Sequence, residues 1–77
     1  MKITTQNKAI LWALLEKYDG CKGYNQFCDA LSNLIQGKSD STSLLVVYNY
    51  FNKLDSDDKV NIDNSIGADL EACLFSI

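Results

Sequence analysis

Apolar positions recur along the chain with a helical period, and four segments carry it. Leu11, Leu14, Leu15 and Tyr18 follow i, i+3, i+4, i+7, one face of a 3.6-residue repeat. The spacing predicts a first helix from Thr4 or Thr5, either of which can cap it, to about Tyr18, with Asp19-Gly20 as its stop. A second helix is expected over about Tyr24 to Gln36, ending at Gly37. It is the cleanest amphipathic segment. Tyr24, Phe27, Cys28, Leu31, Leu34 and Ile35 share one stripe, and Asn25, Gln26, Asp29, Ser32, Asn33 and Gln36 the other.

Lys38 to Thr42 reads as a polar turn, with Asp40, Ser41 or Thr42 able to cap a third helix. The run from Leu44 to Phe51 is ambiguous, because its β-branched and aromatic residues favour a strand by propensity. As a helix it places Leu44, Val47, Tyr48, Phe51 and Leu54 on one face, with Leu45, Val46 and Tyr50 at the sides. Helix is favoured, since a lone strand among helices leaves its backbone groups unpaired. Ser56, followed by Asp57 and Asp58, has the marks of another helix start: a capping hydroxyl and acids at the positive dipole end. Ile62, Ile66, Leu70, Cys73 and Ile77 keep helical spacing from there. Gly67 costs about 1 kcal/mol relative to Ala and marks a kink or a split. The expectation is an all-α chain, one compact four-helix domain over residues 1–77.

Composition then narrows the chemistry. With 77 residues, 47% hydrophobic and 22% charged, the chain is globular material. A chain of this size buries only about 60% of its unfolded surface, so its stability margin is thin. No charged start leads into an apolar run, and no apolar stretch approaches the ~20 residues of a membrane span. A cytoplasmic location is expected. Histidine, arginine and proline are absent. Without His the usual general acid–base and commonest metal ligand is missing. Without Arg there is no bidentate reader of phosphate or guanine, and a net charge of −3 opposes a nucleic-acid backbone.

Cys21, Cys28 and Cys73 form neither a C-x-x-C pair nor an even set. Cys28 and Cys73 fall on apolar stripes and are expected in the core, leaving Cys21 as the exposed thiol with no activating base beside it. The segment Asp55 to Asp63 fails as a calcium loop: Lys59 stands at the fifth position, Val60 replaces the glycine at the sixth, and Ile66 the glutamate at the twelfth. No Gly-rich phosphate loop is present. The expectation is a non-enzymatic chain that needs no metal or cofactor.

Charge is unevenly placed. Residues 55–77 hold six of ten acids and one of seven lysines, a net −5, against +2 for residues 1–54. Several apolar residues, Trp12, Val46, Tyr50, Val60 and Phe75, lie off their stripes. Two-sided packing of a helix accounts for some of these, and acids on a solvated face aid solubility. Aromatics are nevertheless enriched among binding hot spots, and acids steer a basic partner into contact. The functional expectation is a small acidic module that binds another protein, one with a basic surface, and modulates or inhibits it by steric occlusion. Asp57, Asp58, Asp63, Asp69 and Glu71 would steer docking, with Trp12, Tyr50 or Phe75 as anchors. In character, though in no motif, this is similar to phage-type anti-defence inhibitors and immunity proteins that block nucleic-acid-binding surfaces. The alternative is a homo-oligomeric structural or regulatory protein whose surplus apolar residues form a dimer interface. Direct contact with nucleic acid or membrane is not expected.

Overall fold

Thr4 opens the first helix in the computed structural model, which describes residues 4–38 and 41–75: its Oγ1 accepts the N–H of Asn7 at 3.1 Å. Helix α1 runs Thr5–Tyr18, α2 Asn25–Ile35, α3 Ser41–Phe51 and α4 Ser56–Phe75, with no strand among the described residues. Tyr24 stands just outside α2, in the cap position. The end of α2 explains itself at Gly37, whose φ of +87° is closed to most side chains. That turn lets Lys38 N–H reach Asn33 C=O at 2.8 Å and Gly37 N–H reach Leu34 C=O at 3.1 Å. This pair of bonds satisfies two orphan carbonyls of the helix terminus.

Each helix packs on its neighbours in sequence, and α4 closes the ring by packing on α1; the diagonal pairs do not approach. Neighbours run antiparallel. Asn7 Nδ2, near the start of α1, donates to Ser65 C=O in α4 at 2.9 Å, while Tyr18 at its end meets Asp58. Between α3 and α4, Cys73 Sγ lies 3.9 Å from Ser41 C=O at one end, and Lys59 Nζ sits 5.8 Å above the Phe51 ring at the other. Leu11, Phe27, Leu31, Leu34, Val47, Ile62 and Ile66 fill the centre with almost no exposure. Fully burying one such side chain contributes about 1.5–3 kcal/mol, so the apolar stripes hold the ring together.

Four expectations change. The ambiguous run is helical, but α3 is turned so that Tyr48 is 46% exposed and Tyr50 packs inward. The reason is Ser43, buried beside Val47; at about 100° per residue it draws the face centre towards Tyr50 and away from Tyr48. Secondly, α4 passes unbroken through Gly67. A Cβ there would meet only the Asp63 side chain, at 3.5 Å, so the glycine costs helix propensity without disturbing the core. Thirdly, the first bond of α4 joins Lys59 N–H to Asp55 C=O, which makes Asp55 the cap and Ser56 the first helical residue. Lastly, Cys28 is only half-buried, whereas Cys73 is buried and Cys21 exposed as expected. Asp40 and Ile77, expected as a cap and a stripe member, lie outside the described residues.

Candidate functional site

The eight candidate residues separate into those that hold the fold and those that face outward. Asp58 belongs to the first group, a correction to its expected role as a steering acid. It is 4% exposed, accepting Tyr18 Oη–H at 2.6 Å and Lys17 Nζ at 2.8 Å on the same Oδ2. Lys17 also reaches the exposed Asp55 at 3.4 Å. Burial pushes the Asp58 carboxyl up, but the hydrogen bonds from Lys17 and Tyr18 outweigh it and hold it below the usual carboxylate range. Burial and the same carboxylate raise the Tyr18 phenol to about 12. Committed to two partners, Asp58 cannot steer a third.

Tyr50 is likewise structural. Its ring stacks on Phe27 at 5.5 Å and lies 5.8 Å from Tyr24, with Lys53 Nζ 5.0 Å above it. Phe27 in turn meets Tyr18 edge-on at 5.6 Å, so the four rings form one aromatic cluster between α1, α2 and α3. Asp69 is half-buried.

The outward group gathers on α4. Val60, Asp63, Gly67, Glu71 and Leu74 fall within about 80° of arc, bordered by Asp57 and Phe75. Val60 is 55% exposed, Leu74 37% and Phe75 83%, and Asp57, Asp63 and Glu71 are exposed among them. Beside this face runs a groove of about 230 Å³ between α3 and α4. Tyr48 and Phe51 form its α3 wall; Asp63, Gly67, Leu70, Glu71 and Leu74 form its floor and α4 wall. Asp63 and Glu71 pair with no lysine among the described residues. Trp12 is 51% exposed but sits on α1, which does not neighbour α3, so it lies outside the groove.

Tyr48, Gly67 and Leu74 were missed in the sequence. The signal was there as a second period on α4: Val60, Gly67 and Leu74 recur every seven residues, turned about 100° from the core stripe. Among the described residues no group of three or more Cys, Asp or Glu could hold a metal ion. No helix of the described residues is long and apolar enough to cross a membrane. No protein-family model, curated protein or solved structure matches the chain.

Proposed function

We propose that this chain is a protein-binding module that acts by covering part of a basic partner's surface, and that the outer face of α4 with the adjoining groove is where it docks. One observation carries this reading: exposed Val60, Leu74 and Phe75 share a single helix face with exposed Asp57, Asp63 and Glu71. Apolar side chains supply contact area to be removed from water, while acids around them raise the association rate with a cationic surface. The working part is then surface shape and charge, as in small inhibitors that occlude a nucleic-acid-binding patch.

Capture from the native host tests it. Immobilised wild-type chain should retain a basic protein, and a Leu74→Ser, Phe75→Ala double variant should not. Association should slow several-fold between low and high salt, because the screening length shrinks from about 30 Å at 0.01 M to about 3 Å at 1 M. Equal retention by the double variant, or association indifferent to salt, overturns the reading.

A further inference from the structure

We propose that the groove between α3 and α4 takes one basic amphipathic helix of the partner, with an apolar side chain seated over Gly67 and a lysine or arginine on either side of it facing Asp63 and Glu71. This deepens the proposed docking function and rests on it.

Size comes first. At about 230 Å³ the groove is smaller than the roughly 300–1,000 Å³ sites that enclose drug-sized ligands, and it lies open along the helix pair. It suits a side chain carried on a protein surface. The form of the ligand is set by the backbone. Both walls are helices, which offer no row of free N–H and C=O groups to pair with an extended chain. A helix brings its own backbone bonds satisfied, and a groove between two helices receives it as a third.

The spacing sets the pattern. Asp63, Gly67 and Glu71 stand at i, i+4, i+8, so the two acids are separated by two turns, about 12 Å, with the missing side chain midway. The Asp63 carboxylate leans towards that gap, its Oδ1 3.5 Å from where a Cβ on residue 67 would be. An incoming helix with basic, apolar and basic residues at the same i, i+4, i+8 spacing matches all three positions. A second copy does not. Across a two-fold axis this face would set Asp63 and Glu71 against the same two carboxylates of the second copy, and facing like charges oppose association.

Three synthetic helical peptides on one alanine-rich scaffold test the match, carrying Lys-Leu-Lys, Glu-Leu-Glu or Lys-Ser-Lys at i, i+4, i+8. Titrated into isotope-labelled chain, the first should bind at least tenfold more tightly than either of the others and shift the amides of Tyr48, Gly67 and Leu74. Gly67→Leu, whose Cβ would have the Asp63 side chain at ordinary contact distance as its nearest neighbour, should fill the groove and weaken binding at least tenfold while the circular dichroism spectrum is retained. Equal binding of the Lys-Ser-Lys peptide, or a Gly67→Leu chain that binds undiminished, overturns the proposal. So does sedimentation showing a dimer that Gly67→Leu dissolves. Capture separates this from the broader reading. If Gly67→Leu retains the partner fully while the Leu74, Phe75 variant loses it, the groove helix is wrong and the docking face stands.

Discussion

Tyr18 donates its phenolic hydrogen to Asp58 across 2.6 Å, and with that bond the last residue of α1 holds the first turn of α4. The bond is short because the acceptor is ionised, and hydrogen bonds to charged groups contribute about 1.5–3 kcal/mol each. Tyr18→Phe keeps the ring against Phe27 but removes the donor. It should lower stability by about that amount, read as a fall in the urea midpoint with the slope unchanged. Unaltered midpoints would show that the bond contributes nothing net.

The same cluster sets the pH limits of the fold. Asp58 holds its proton more weakly folded than unfolded, so its contribution is full above the unfolded value of about 3.9 and is lost as pH falls through the folded one. Tyr18, at about 12, holds its proton more tightly folded, and so does Lys17, raised chiefly by its hydrogen bond to Asp58. The contribution of Tyr18 is full below about pH 10 and lost as pH rises from there through about 12, and that of Lys17 is lost as pH rises through its own raised value. Cys28, raised first by burial and then by the charges of Asp19, Cys21 and Asp29, adds to the alkaline loss. Melting temperature against pH should therefore fall at both ends, leaving a plateau between about pH 5 and 8. Tyr18→Phe should flatten the alkaline limb, and a limb of undiminished steepness would place its origin elsewhere.

Gly67→Ala should stabilise the chain. The new methyl meets only the Asp63 side chain at ordinary contact distance, and the interior helical position gains about 0.5–1 kcal/mol of propensity. For a domain of this size that is a rise of several degrees in melting temperature. A fall would mean that the backbone at residue 67 needs a conformation alanine resists.

Tyr50 and Phe75 should behave oppositely under truncation. Tyr50→Ala removes a ring stacked on Phe27 and packed on Tyr24, a loss of about 1.5–3 kcal/mol for a half-buried aromatic. Phe75, 83% exposed, should change stability by less than about 0.5 kcal/mol when truncated, and alter only partner retention. Comparable melting temperatures for the two variants would remove the distinction between core ring and surface anchor.

Helix existence was legible because the core stripes are local. Leu11, Leu14 and Tyr18, or Ile62, Ile66 and Leu70, announce a buried face with no knowledge of the neighbours. Asp58 was not legible. Ser56-Asp57-Asp58 is what any solvated first turn looks like, and the partners that bury this acid stand 40 and 41 residues away. Tyr48 and Tyr50 changed places because a rotation of α3 was decided by Ser43, a residue whose polarity hides its burial. Gly67 was visible as a letter and misleading as a signal: propensity reads it as a break, whereas packing leaves it as the floor of a groove.

The closing of the ring has a consequence in time. Three of the four helix pairings join segments adjacent in the chain, the kind of contact that forms in microseconds to milliseconds. The seam between α1 and α4 is the exception, tied by Tyr18 to Asp58 and by Asn7 to Ser65 across 40 and 58 residues. Its bonds are expected to form after the rate-limiting barrier, so weakening them shortens the lifetime of the native state without delaying its formation. How long the acidic helix stays seated, and with it any face it presents, then depends on two hydrogen bonds, Tyr18 to Asp58 and Asn7 to Ser65, at the opposite side of α4 from that face.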